Sequence, residues 1–375
     1  MEQEVTLIAT AAMGLEAIVG REVRTLGYKP TIENGRVLFK APLSAIPRCN
    51  LWLRTADRVK ILVAEFNATS FEELFEATKQ LPWEQYISED GQFPVSGKSV
   101  KSKLFSVSDC QAIVKKAIVD RLRLKYGIAS RMPETGALYK VEVAIHKDIA
   151  TLTIDTSGSG LHKRGYRVIQ GKAPLKETMA AALLLLTNWT PSKTLIDPFC
   201  GSGTIPIEAA LIGQNIAPGF NRHFASEAWT FIDQMLWNQA FEEAEDLARY
   251  DQKLDIFGSD INHKMIDISK QNSQEAGLGD LIHWKQMQAK DLNIRKEGGY
   301  IVTNPPYGKR IGTDKEVEKI YHDLGTIMKK HPTWSVYVMT AYKHFEKAYG
   351  KKATKKRKLF NGFIRTDYYQ YYGQK

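Results

Sequence analysis

"LIDPFCGSGTIPIEAA", residues 195–210, is the stretch from which the fold is read. A short apolar strand ends in Asp197, a glycine-containing turn follows, and a helix begins near Thr204. Gly201 and Gly203 let the backbone come close to a ligand, and a helix N-terminus adds amide donors and positive potential. Open α/β sheets bind ligands at the carboxyl ends of their strands, which is where this turn falls. Two common nucleotide loops do not fit. GxGxxG would need glycine at position 206, which is Pro206, and the phosphate-loop ending GK[ST] is absent. Simple strand-to-helix packing is the bland alternative. An acid at the strand end is odd for a phosphate cradle and suits a cationic ligand.

Working outward, "IFGSD" (256–260), "LIHWKQM" (281–287), "GGYIVTN" (298–304) and "WSVYVMT" (334–340) are short, apolar and separated by helical stretches. That alternation predicts an α/β fold with a doubly wound, mostly parallel sheet. "KLFNGFIRTDYYQYY" (358–372) predicts an antiparallel C-terminal hairpin on its edge, and the charge run "KKATKKRK" (351–358) reads as a solvated loop. Asp260 ends the second strand, where a carboxylate can accept from both hydroxyls of a ribose. Asp291 follows the third and suits an adenine amino group. One acid after a strand is a common turn residue, but three in succession point to S-adenosylmethionine, with its ammonium and sulfonium. Asp260 lies about 60 residues beyond the glycine turn where about 20 is usual. Residues 213–254 therefore read as an insertion of added helices.

"NPPY" (304–307) follows the fourth strand. Proline cannot continue a ladder, so the strand stops here, at a rigid corner expected to face solvent. A nucleobase amine is a poor nucleophile because its lone pair is delocalised. The Asn304 side-chain oxygen and the Pro305 carbonyl, held by Pro305 and Pro306, could accept its two N–H bonds and favour a pyramidal nitrogen. Tyr307 could stack on the base.

DPFCGSGT (197–204), GSD (258–260) and NPPYGKR (304–310) resemble the class I amino-methyltransferases, a Rossmann-like family. "GKSVKSKLFSVSDCQAIVKKAIVDRL" (97–122) and "GLHKRGYR" (160–167) resemble the THUMP-domain RNA methyltransferases. "APLKETMAAALL" (173–184) and the terminal hairpin fit the same family, which covers nearly the whole chain. The resemblance is greatest to enzymes that make N2-methylguanosine in bacterial large-subunit (23S) ribosomal RNA. It implies a ferredoxin-like domain over 1–56, an RNA-binding THUMP domain over 57–166, and a methyltransferase domain over 167–375. It also implies a cofactor-contacting set: Asp197, Phe199, Cys200, Gly201, Ser202 and Gly203 around the methionine part, then Asp260, Ile261 and Asp291 on the adenosine. Asn304, Pro305, Pro306 and Tyr307 would meet the target base.

Charge supports an anionic partner. The chain carries +10 formally, and from Lys98 to Arg167 there are 14 Lys/Arg against 6 Asp/Glu. From Lys343 to Lys375 the count is 10 against 2, whereas between Gly213 and Ile256 it reverses to 3 against 8. The insertion is therefore expected to face away from RNA. Lys101, Lys103, Lys116, Lys163, Arg164, Lys309 and Arg310 are the expected phosphate contacts, which position RNA without reading sequence; a solvated lysine is the ordinary alternative for each. Three isolated cysteines argue against a zinc site or disulfides, so no metal is expected. The acidic start "MEQEVTLIAT" is unlike a signal peptide and "AAALLLL" (180–186) is too short to cross a bilayer, so a cytoplasmic location is expected. Adenine-N6 methylation of RNA or DNA stays open, because NPPY serves both amines. From a different class, a non-catalytic RNA-binding or assembly factor would not need all of Asp260, Asp291 and NPPY.

Overall fold

The computed structural model describes residues 4–167, 175–307 and 314–374. They form two compact units. The first comprises residues 1–11, 19–161 and 223–243, and the second residues 12–18, 162–222 and 244–375.

In chain order the N-terminal elements are β1 (Glu4–Ala11), α1 (Glu16–Thr25), β2 (Thr31–Glu33), β3 (Arg36–Pro42), α2 (Ala45–Trp52), β4 (Ala56–Asn67), α3 (Phe71–Gln80), β5 (Val95–Val100), α4 (Val107–Tyr126), β6 (Lys140–His146) and β7 (Ile149–Asp155). Their strands make one seven-stranded sheet in the order β2-β3-β1-β4-β7-β6-β5. The stretches 1–56 and 57–166 thus share a sheet, because the long β4 pairs with β1 on one side and β7 on the other. β2 and β3 pair across Asn34 and Gly35, a two-residue turn that Asn-Gly favours, and β6 and β7, whose burial alternates along β6, form a second hairpin. Lys147 and Asp148, the turn between β6 and β7, both take positive φ, as a tight two-residue hairpin turn requires. Ser70 caps α3 by accepting from Glu73 N at 3.2 Å. The cap position of α4 is Ser106, in extended backbone, although the sequence from Ser108 on also reads as a capped helix start; Ser108 lies in the first turn.

The second unit contains α5 (Glu177–Leu185), β8 (Leu195–Asp197), α6 (Thr204–Gly213), β9 (Ile256–Asp260), α8 (His263–Glu275), β10 (Ile282–Gln286), β11 (Tyr300–Thr303), α9 (Asp314–Lys329), β12 (Ser335–Thr340), α10 (Phe345–Tyr349), β13 (Lys355–Asn361) and β14 (Ile364–Tyr371); α7 (Gln234–Leu247) precedes β9. The strand order is β10-β9-β8-β11-β12-β14-β13, parallel from β10 to β12 and antiparallel over β14 and β13. Strand order reverses between β8 and β11, the switch point where such sheets bind ligands. Lys355–Lys358 of the charge run belong to the edge strand β13 rather than to a loop; edge lysines keep such a strand from pairing with another chain.

The insertion carries α7, but its middle half, residues 223–243, belongs to the first unit. Residues 223–243 bury Trp229 and Trp237, and Trp229 stacks on Tyr139 with ring centroids 5.0 Å apart. Glu243 receives two bonds from Arg48, at 2.6 and 2.7 Å. Sequence spacing shows that residues are inserted; it cannot show which sheet they cover.

Candidate active site

The glycine turn leaves β8 and enters α6. Gly201 has φ +53° and Gly203 φ +83°, so both occupy left-handed backbone that side chains avoid. A Cβ on Gly203 would also stand 2.7 Å from the Trp284 ring, whereas one on Gly201 would meet nothing within 4 Å. Packing demands the second glycine, and open space lies over the first. Two side chains of α8 hold the turn from behind. Ser269 Oγ donates to Gly201 O at 2.8 Å, and Asn272 Nδ2 donates to Ser202 O at 3.0 Å.

Asp260 closes the loop from the neighbouring strand. Its Oδ2 accepts from Gly201 N at 3.0 Å and its Oδ1 from Asn262 N at 2.9 Å. A carboxylate fixed by two amides keeps lone pairs for further donors. Ile261, 63% exposed, and Asp291 lie open beyond it. Asp291 lines a cleft of about 560 Å³ together with Ser259, Trp284 and Met287. Ser259 Oγ and Trp284 Nε1 are buried and have no hydrogen-bond partner among the described residues. Buried polar atoms left without partners are the exception in folded proteins. Open space over Gly201, the fixed Asp260 carboxylate and these atoms fit an adenosine-bearing cofactor. Cys200 is different: its thiol packs inward beside Ser269, and burial with the nearby Asp197 and Asp260 pushes its pKa well up. Only its backbone is available to a ligand. Phe199 and Ser202 are half-buried.

Asp197 is 1% exposed and committed to the protein. Its Oδ1 accepts from Thr303 Oγ1 at 2.6 Å and from Phe199 N at 3.1 Å. Burial, with a smaller contribution from the Asp260 charge, pushes its pKa up to about 7. Thr303 is the last residue of β11, so this bond ties the glycine loop to the residue before Asn304.

Asn304 Oδ1 is buried and, among the described residues, has no hydrogen-bond partner. Pro305 is buried, and Pro306 O accepts from Tyr321 OH at 3.5 Å. Tyr307, expected to face solvent, is 5% exposed, and its hydroxyl accepts from Asn361 Nδ2 of β13 at 3.2 Å. Sequence reasoning missed Thr303, Ser259, Ser269, Asn272 and Asn361. Ser259 lies inside the GSD motif and Thr303 directly precedes NPPY, but the other three lie outside the site motifs and carry no local signal.

The expected phosphate contacts separate. Lys101, Lys103 and Lys116 are exposed on the first unit, Lys163 is exposed on the second, and Lys309 and Arg310 lie outside the described residues. Arg164 is a correction: it is 3% exposed and pairs with Glu208 of α6 at 3.3 Å, where Tyr166 OH also donates at 3.2 Å. A guanidinium committed in the core cannot reach a phosphate. Arg167 works beside it, bonding Glu177 at 2.8 Å and Thr204 Oγ1, the first residue of α6, at 3.1 Å. No helix among the described residues is long and apolar enough to cross a membrane.

The chain is similar to known proteins over nearly its whole length. The chain matches family models described as the RlmL ferredoxin-like domain over residues 6–60, the THUMP domain over 68–155, and the RMKL-like methyltransferase domain over 164–370. It is 61% identical over 370 residues to YpsC of Bacillus subtilis, named as an RNA methyltransferase, covering 98% of this chain and 96% of that one. It is 34% identical over 363 residues to the ribosomal RNA large subunit methyltransferase K/L of Shewanella baltica, covering 95% of this chain and 51% of that longer protein. Among solved structures, SMU.472, described as a methyltransferase in complex with S-adenosylhomocysteine (SAH), superposes with a TM-score of 0.96 over 100% of both chains at 48% identity. A Listeria monocytogenes protein named as a predicted N6-adenine-specific DNA methylase is 62% identical, with a TM-score of 0.96 over 99% of this chain and 97% of that one. The chain belongs to the THUMP-containing, RlmL-like family of S-adenosylmethionine-dependent RNA methyltransferases.

Proposed function

We propose that this enzyme methylates the exocyclic N2 amine of a guanine in large-subunit ribosomal RNA. The observation that carries the reading is Asn304 Oδ1, a buried acceptor with no partner among the described residues, at the end of the strand beside the glycine turn. An amine N–H would satisfy it, and the Pro305 carbonyl next to it supplies a second acceptor. Two acceptors on the two N–H bonds draw the nitrogen out of conjugation and aim its lone pair. The prolines fix both oxygens before the base arrives, so little reorganisation accompanies reaction. The bound cofactor supplies an electrophilic methyl group on sulfur. Gly201, Asp260 and Asp291 would hold it, with Asp260 facing the ribose hydroxyls. Asp197 would act through Thr303 and through its charge rather than by open contact. The nitrogen becomes strongly acidic as it is methylated, and its surplus proton passes to solvent. The base must be unpaired or turned out of its stack to enter. The exposed Lys101, Lys103, Lys116 and Lys163 would hold flanking phosphates.

The test is methyl transfer to a 23S rRNA transcript, followed by digestion and identification of the nucleoside. N2-methylguanosine is the expected product; N6-methyladenosine would move the assignment to adenine. Asn304→Ala should lower kcat by about 10²–10³-fold while SAH binding by calorimetry stays at the wild-type level. Asp260→Ala should instead lose SAH binding. Wild-type turnover in Asn304→Ala overturns the mechanism.

A further inference from the structure

Strands β13 and β14 are joined by Gly362 and Phe363 alone, since Asn361 pairs with Ile364. Gly362 has φ +62°, as the first central position of such a two-residue hairpin turn requires. Phe363 is left wholly in solvent, 107% exposed, with Ile364 beside it at 52%. A phenylalanine on a tip that packs on nothing contributes no burial to the fold, so folding does not account for it.

Two observations point to what it meets. The first is charge: the hairpin carries Lys355, Lys356, Arg357, Lys358 and Arg365, with Arg365 nearest the tip and Lys358 next, and Asp367 as its single acid. Lys355, Lys356, Lys358 and Arg365 are all exposed. The second is place. Asn361 donates to the Tyr307 hydroxyl at 3.2 Å, so the tip starts at the outer end of the Tyr307 side chain, and Phe363 lies two residues on from Asn361, within about 7 Å of chain.

We propose that Phe363 enters the base stack of the RNA next to the target nucleotide, in the place the target base vacates as it turns into the site. The inference rests on the RNA reading above. Turning a base out sacrifices its stacking on both neighbours, and an inserted aromatic ring restores part of that contact. Arg365 beside the tip and Lys358 farther along the hairpin hold flanking phosphates, which fixes the ring in register. The same ring gives selectivity for structure without reading sequence, because every base presents a flat face.

The experiment uses the full chain, labelled S-adenosylmethionine and a 23S rRNA transcript. Phe363→Ala should lower kcat/KM about tenfold, Phe363→Trp should retain it, and both should bind SAH as wild type does. With 2-aminopurine placed beside the mapped target, wild type should quench its fluorescence by stacking and Phe363→Ala should not. Equal kcat/KM and equal quenching in Phe363→Ala overturn the stacking role while leaving the RNA reading intact. A defect seen on ribosomal particles and absent on the naked transcript makes the tip a protein contact, and overturns it too. If wild type transfers no methyl to RNA, the RNA reading fails and this inference falls with it.

Discussion

Among the described residues, the two seven-stranded sheets do different work. In the first, strands such as β5 and β6 alternate between more and less buried positions, so one face packs on helices and the other stays polar. In the second, β8 is buried at every position and β12 at all but its first. The first unit carries its candidate functional groups as exposed lysines on a helix and a loop, where each is independent of the others. The second carries them at strand ends, where Asp197, Thr303 and Asp260 are bonded to one another's segments. Chemistry at strand ends is tied to backbone geometry and leaves a motif. Chemistry on a solvated surface leaves only a charge count.

The largest test of this difference uses two adjacent residues that the charge count treats alike. Arg164→Ala breaks a buried ion pair with Glu208 and should destabilise the second unit by about 3–5 kcal/mol, seen as an early transition in thermal melts. Lys163→Ala, at an exposed position, should shift stability by no more than about 0.5 kcal/mol. Equal effects would mean that the two positions are energetically alike.

Next in size is the pH dependence of Asp197. Its pKa is raised from the ordinary 3.8 to about 7 in the folded protein. The folded state therefore holds a proton that the unfolded state releases, and stability falls as pH rises through this window until the loss is complete above about pH 7. Asp197→Asn cannot titrate. The stability gap between variant and wild type should widen between pH 4 and 7 by on the order of a few kcal/mol, measured by urea denaturation at each pH. A constant gap would show that burial does not govern this carboxylate.

The smallest effects belong to the first unit. Lys101→Ala, Lys103→Ala and Lys116→Ala should each flatten the salt dependence of RNA binding, by about 0.7–0.9 in log–log slope for every phosphate left without its lysine. Their thermal stability should not change. Unaltered slopes in all three would place the RNA footprint elsewhere.

Much of the fold was legible. The β2–β3, β6–β7 and β13–β14 hairpins, the parallel strands and the glycine turn all follow from local rules: turn residues, period two, short buried apolar runs. The cofactor loop and Asn304 were legible for the same reason, because their positions depend on a few consecutive residues. Arg164 was not. In "HKRGYR" nothing distinguishes a cation that meets solvent from one that meets Glu208, 44 residues away. The insertion was legible as inserted chain, while the membership of its middle part in the first unit depended on Trp229 finding Tyr139. Tyr307 was read as open because its own neighbours are turn residues, yet it is buried, and its hydroxyl is held by Asn361, far along the chain.

The sequence alone determined the class of chemistry, because a glycine turn, acids at strand ends and a proline-stiffened asparagine are each fixed by backbone covalent geometry over a few residues. Only the tertiary structure decided which charges are free and which are committed, and that Phe363 stands in solvent beside Tyr307. Burial and pairing are properties of residues brought together from distant parts of the chain, and no local pattern encodes them.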